Sequence, residues 1–275
     1  MPTFHALLIH LQAQKPARLP ATQGQLAHAA FLAMVRSVNP PLAQALHDFP
    51  DRKPFTLSPV WDLPPARQGQ HAIRAGQTLR LRLTILDATL FDAFMQKIFQ
   101  APHQAIRLGD APFLISQILG APGSDPWAGY ATPETLAQQA TRERRITLAF
   151  ASPMAIGVGK SDTGKSRRII LPIPRYVWAS LRSSWNKLTG QPIPPAFETW
   201  VENNVVVARV TSWRTSMFRF GEKKLQIGGS GVVTFEALDQ DPTMLLLWNL
   251  LADFAFYAGV GVKTGMGMGV VRRLS

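Results

Sequence analysis

The chain has 275 residues, 46% of them hydrophobic, which suits one large or two ordinary domains with ample material for a core. Its 29 Lys and Arg against 17 Asp and Glu give a formal charge of +12, pointing to a polyanionic partner: nucleic acid first, an anionic membrane second. Cysteine is absent, which excludes disulfides and thiolate metal sites. The N-terminus, Met1-Pro-Thr-Phe-His, has no charged signal region or cleavage site, and no basic amphipathic helix or lipidation signal follows, so the sequence predicts a cytoplasmic chain with no membrane partner.

In chain order, Phe4 to Gln12 reads as a strand, with His5 and His10 on opposite faces. A helix opens at Thr22 or Gln23 and runs through Ser37, its apolar side drawn from Leu26, Ala29, Ala30, Ala33 and Met34, with His28 on it. Pro40-Pro41 restarts the chain as a short helix, Leu42 to His47. Phe55 to Val60 can form a strand. Leu79 to Leu86 alternates and is a second one, and Asp87 caps a helix from Leu90 to Phe99. Ala105 to Leu119 supplies one or two closing strands. The order is βαββαβ, the ferredoxin-like pattern. Gly120 to Pro133 is rich in Gly, Ala, Pro and Ser and has no sustained period. The second half repeats the first in type: a strand from Ile146 to Val158, a helix from Arg175 to Leu188, β-rich stretches at 204–213 and 232–238, a helix from Met244 to Ala258 and a strand from Met268 to Leu274. The expected fold is α+β, two tandem ferredoxin-like (RRM-like) domains at 1–122 and 141–275 joined by a linker at 123–140.

Gly159-Lys-Ser-Asp-Thr-Gly164-Lys165-Ser166 matches the P-loop pattern letter for letter. A working P-loop needs a helix starting at its Lys-Ser. Here Arg167-Arg-Ile-Ile-Leu-Pro172-Ile-Pro174 follows, whose β-branched residues and prolines break any helix. The stretch reads instead as a mobile basic loop. It belongs to a basic region holding Lys160, Lys165, Arg167, Arg168, Arg175, Arg182 and Lys187, with Trp178 and Trp185 on one helical stripe facing a core. A second cluster holds Arg209, Trp213, Arg214, Phe218, Arg219, Phe220, Lys223 and Lys224. Such cations can neutralise phosphates, and exposed aromatics can stack on bases.

Near the C-terminus, Gly259-Val-Gly261-Val-Lys263-Thr264-Gly265-Met-Gly267-Met-Gly269 places five glycines... and one more basic residue between an apolar helix and a strand. Glycine permits φ > 0 and close approach of the backbone. The segment is therefore either a phosphate-binding turn or a tight helix-to-strand connection. Among titratable groups there is no His-x-x-x-His pair and no Gly-x-Ser-x-Gly elbow. One imidazole, His47, precedes Lys53 by six residues; it can be a capping or surface residue, or a proton-transfer group beside a cation.

Three ordered stretches resemble the CRISPR repeat-processing endoribonucleases of the RAMP superfamily, the Cas six family. They are the glycine-rich ending; Leu46-His47-Asp48 with Lys53-Pro-Phe-Thr-Leu-Ser58-Pro; and Ile146-Thr-Leu-Ala-Phe-Ala-Ser152-Pro followed by Leu171-Pro. The resemblance implies two tandem ferredoxin-like domains and cleavage of CRISPR precursor RNA by 2′-OH attack, leaving a 2′,3′-cyclic phosphate and a 5′-OH, with no metal or other cofactor. It implies His47 as general base or acid and Lys53 as the transition-state cation. His28 is the second candidate, because other members use histidines on or after the first helix. Some members carry a catalytic tyrosine on that helix; here Phe31 and Leu32 stand there, and the tyrosines are Tyr130, Tyr176 and Tyr257. Arg167, Arg168, Arg175 and the turn Gly261, Lys263, Thr264, Gly265 and Gly267 would hold repeat RNA. The alternative is a non-catalytic RNA-binding subunit, with the other subunits of a CRISPR effector complex as partners.

Overall fold

The computed structural model describes residues 3–49, 52–100, 105–221 and 224–274. The first half runs β1 (Phe4–Ala13), β2 (Ala17–Pro20), α1 (Gly24–Arg36), α2 (Pro40–Asp48), β3 (Phe55–Leu57), β4 (Gln70–Ile73), β5 (Thr78–Ile85), α3 (Ala88–Gln100), β6 (Ala105–Leu108) and β7 (Ala111–Leu119). Next come β8 (Gly129–Ala131) and α4 (Pro133–Gln139). The second half runs β9 (Arg145–Met154), β10 (Ile156–Lys160), β11 (Ser166–Ile169), α5 (Pro174–Thr189), α6 (Ala196–Asn204), β12 (Val205–Phe220), β13 (Lys224–Ala237), α7 (Pro242–Ala258), a 3-10 turn (Thr264–Met266) and β14 (Val271–Arg273).

The first sheet has the order β3-β5-β1-β7-β6, with β8 also paired to β1; the second has the order β12-β13-β9-β14. Numbered along each βαββαβ unit, both read two-three-one-four, so the chain is two tandem ferredoxin-like domains. A separate ribbon, β2–β4, pairs Ala17 with Ile73 and Pro20 with Gln70. The P-loop-like stretch is the turn of the β10–β11 hairpin, with a strand where a P-loop would have a helix.

The helix caps follow from side-chain chemistry. Asp241 accepts from the amides of Thr243 and Met244 at 2.8 and 3.0 Å, and Asp87 accepts from Leu90 at 2.8 Å. Helix α1 departs from the expected stripe. Ala29 and Ala33 are exposed, while Ala27, Ala30, Phe31, Met34 and Val35 are buried. Phe31 and Val35 gain more from leaving water than two alanines do, and they set the rotation of the helix.

Helix α7 is apolar nearly all round, and such a helix belongs inside. One side packs on α5 and the second sheet through Trp248, Trp178 and Phe235. Its C-terminal half meets β1 of the first sheet, with the Phe4 ring 5.3 Å from Phe254 and 5.9 Å from Tyr257. A single core therefore joins Phe4, Ala6 and Leu86 to the second half. The last carbonyls of α7 are satisfied from the first domain. Arg82 Nη2 donates to Phe256 O at 2.7 Å, and Thr84 Oγ1 donates to Tyr257 O at 2.8 Å. Arg82 is 1% exposed and lies 4.2 Å from the Phe256 ring centre; burial pushes its guanidinium down to about 9, still charged at neutral pH. Among the described residues no helix is long and apolar enough to cross a membrane.

Candidate active site

The glycine-rich turn leaves α7 and folds back between the two domains. Gly259, Gly261, Gly267 and Gly269 have positive φ. At Gly261 (φ +91°) an added Cβ would lie 2.3 Å from Ala155 O, so glycine is required by both dihedral and space. The turn is pinned at several points. Val260 N donates to Gly269 O at 2.9 Å, Val262 N to Ala155 O at 2.8 Å, and Gly261 N to Ser180 Oγ at 3.1 Å. Ser180, on α5, also accepts from Arg52 Nη2 at 2.9 Å, and the same nitrogen donates to Gly261 O at 2.7 Å. Helix α1 abuts the turn so closely that a Cβ on Gly24 would meet Met266 O at 1.8 Å.

A cleft of about 660 Å³ opens between the domains. His28, Phe49, Arg52 and Lys53 border it on one side, and Tyr176, Ser180, Lys187 and the turn from Gly261 to Met266 on the other. A smaller recess beside it brings His28, His47 and Lys53 together with Gln25, Arg36 and Met266. The three candidate catalytic residues named from sequence thus lie around one place, and they differ in character.

His28 is buried, and its Nδ1 lies 2.9 Å from Gly265 O. A carbonyl only accepts, so Nδ1 carries the proton and a neutral ring leaves a lone pair on Nε2. The ring stacks on Phe55, whose edge also lies 3.3 Å from where a Gly265 Cβ would be. Burial lowers the His28 pKa below its ordinary value; the Gly265 bond opposes this, and the charges of Lys53 and His47 lower it further. His47 ends α2 with its side chain 63% exposed, and its Nδ1 lies 2.8 Å from Asp48 Oδ1. That bond, with a second from Gln44, holds the Asp48 carboxyl below the usual carboxylate range. Lys53 donates to the carbonyls of Leu46, His47 and Phe49, capping the C-terminus of α2. Desolvation lowers the Lys53 pKa.

Of the RNA-binding candidates, Gly261, Lys263, Thr264 and Gly265 line the cleft. Lys263 sits at φ +59° with its ammonium 3.7 Å from the Phe220 ring centre. Burial first, then the neighbouring charges of Lys224 and Arg168, push its pKa down, so three cations converge at the mouth of the turn. Arg168 lies against Gly157, a cleft residue, and Arg167 is exposed beside it on β11. Arg175 pairs with Glu202 and lies 4.8 Å from the ring centre of Tyr176, a cleft residue. Gly267 (φ +91°) does not line the cleft but packs against Phe218 and Pro59. Lys223 lies outside the described residues. Sequence reasoning missed Gly24, Arg52 and Ser180. A lone serine on a polar helix face carries no signal, and the Arg52 bonds join residues more than a hundred positions apart. Among the described residues no group of three or more histidines and carboxylates could hold a metal ion.

The family model for the CRISPR Cas6 N-terminal domain matches residues 1–138, and that for the CRISPR-associated endoribonuclease Cas6 matches residues 148–271. No curated protein matches the chain. Among solved structures, a Cas6 product complex is 32% identical, with a TM-score of 0.84 and 99% of each chain covered. A Cas6 of Thermus thermophilus is 29% identical, with a TM-score of 0.76, covering 100% of this chain and 99% of that one. A RAMP protein binding different RNA substrates shares the fold at 15% identity, with a TM-score of 0.67 and coverage of 98% and 100%. With both halves matched in order around a cleft of this composition, the chain belongs to the Cas6 family of CRISPR RNA-processing endoribonucleases.

Proposed function

We propose that the protein cleaves CRISPR repeat RNA by attack of a ribose 2′-OH on the adjacent phosphate, with His28 as general base and His47 as general acid and without a metal. The observation that carries this is the Gly265 carbonyl on His28 Nδ1, which leaves Nε2 as a proton acceptor in a buried ring of lowered pKa. His28 Nε2 takes the 2′-OH proton as O2′ bonds to phosphorus. The bond from phosphorus to O5′ breaks, and His47, oriented through Asp48, protonates O5′. The products are a 2′,3′-cyclic phosphate and a 5′-OH, and solvent exchange resets the two imidazoles.

Lys53 keeps the α2 terminus and His47 in place and supplies a positive field at the recess. Extra charge on the phosphorane is balanced by that field and by Lys263 with Arg168 and Lys224. Arg167, Arg175 and the turn at Thr264 and Gly267 belong to the same RNA-holding surface, with Phe49 and Tyr176 as cleft walls on which bases can stack.

The test is incubation of the pure protein with repeat RNA in EDTA, followed by analysis of the product ends. Cyclic phosphate and 5′-OH ends are expected, as is resistance of RNA carrying one 2′-deoxy nucleotide before the scissile phosphate. Cutting of the deoxy substrate would refute the 2′-OH mechanism. Binding without any cutting would make the chain an RNA-holding subunit of an effector.

A further inference from the structure

The first domain carries a groove that the cleavage chemistry does not use. It runs along the β2–β4 ribbon and is lined by Arg18, Arg67, Gln68, Gln70, Arg74 and Gln77, with no carboxylate among its lining residues. Elsewhere Arg80, Arg145, Arg175, Arg182 and Arg273 each pair with Asp or Glu, whereas among the described residues Arg18, Arg67 and Arg74 pair with none. Three like charges are therefore left facing one recess, supported by amide side chains. The backbone beneath them is fixed: Arg67 and Gln70 exchange hydrogen bonds at 2.8 and 3.0 Å, His71 Nδ1 bonds Pro64 O at 2.6 Å, and Arg74 N donates to Gln77 Oε1 at 3.1 Å.

The groove is linked to the active cleft through the chain itself. Strand β2 runs into α1 through Thr22, whose hydroxyl donates to Arg219 O at 2.8 Å, and Gly24, which touches Met266 of the glycine-rich turn.

We propose that the β2–β4 groove binds single-stranded RNA leading away from the cleavage site, gripping its sugar–phosphate backbone through Arg18, Arg67 and Arg74. The proposal rests on the cleavage reading for its ligand. Arginine suits phosphate through its planar fork, and the glutamines can reach ribose and base edges.

The test compares the full-length protein with a variant carrying Arg18→Ala, Arg67→Ala and Arg74→Ala, on repeat RNA with a 5′ single-stranded extension, a 3′ extension, or neither. Three lost phosphate contacts lower the slope of log affinity against log salt by about 2 for a single strand. Between 50 and 200 mM salt the wild type should therefore lose about 20-fold more affinity than the variant for an extended RNA, and not for the RNA without an extension. Single-turnover cleavage at saturating RNA should be equal for the two proteins. Equal salt slopes for the two proteins on both extended RNAs, or a slope difference already present on the RNA without an extension, would overturn the groove assignment while wild-type cleavage stands. Failure of the wild type to bind or cut repeat RNA would overturn the functional reading and the groove with it.

Discussion

The two histidines commit the same nitrogen, Nδ1, to different partners, His28 to a backbone carbonyl in a buried site and His47 to the exposed carboxylate of Asp48, and the proposed roles rest on that contrast. His28 is held through Nδ1 by a backbone carbonyl and is neutral at pH 7, because burial lowers its pKa. Cleavage measured as kcat/KM should hold at pH 6.5 and fall only as pH drops through the lowered value, since protonation removes the base. The same shift sets a stability trend. The unfolded chain binds a proton at His28 more readily, so acidification from pH 6.5 towards the folded pKa should weaken folding, and His28→Gln should abolish that component in urea titrations at several pH values. Replacing His28 or His47 by Ala should each cost about 10²–10⁴-fold in single-turnover rate while leaving repeat-RNA affinity within a few-fold. Lys53→Met should cost less and act through His47, because its ammonium is engaged with carbonyls at the end of α2. At this scale the sequence named three side chains that the structure brings to one recess. It could not separate their roles, because the deciding partner of His28 is a carbonyl 237 positions away.

At the scale of elements, strands with strict alternation and helices with a capping Asp were legible, since β5, α3 and α7 answer to local pattern alone. The β2–β4 ribbon and α6 were not, because each is held by partners distant in the chain. The glycine-rich turn divides into positions with different demands. Gly261→Ala forces a side chain onto Ala155 O at positive φ and should displace the turn, weakening RNA binding and cleavage together. Gly265 has no positive φ, and a side chain there meets Phe55 at 3.3 Å. Gly265→Val should therefore move the carbonyl that holds His28, lowering the cleavage rate more than the affinity. Equal losses in both quantities would count against that division. Thr84→Val keeps the shape of the side chain but strips the hydroxyl from Tyr257 O, and the unmet carbonyl should cost about 1–3 kcal/mol in chemical denaturation.

For the whole molecule, composition alone indicated the polyanionic partner. Among the described basic residues, Arg18, Arg67 and Arg74 gather in the β2–β4 groove, and Lys263, Lys224 and Arg168 near the glycine-rich turn. Log affinity for repeat RNA should fall linearly with log salt, and a flat response would contradict phosphate recognition. The duplication of the ferredoxin-like unit could be read from the order of elements. The way the two units join could not, because the apolar run of α7 looks the same whether it serves one sheet or two. Its position has a consequence for biosynthesis. Phe4, Ala6 and Leu8 leave the ribosome long before the helix that covers Phe4, which begins at Pro242. At about 5–20 residues per second, roughly 10–50 s separate the two. During that interval the Phe4 ring on the nascent first sheet lacks its cover, so chaperones that shield exposed apolar side chains should raise the soluble yield of this chain more than that of one whose domains close independently.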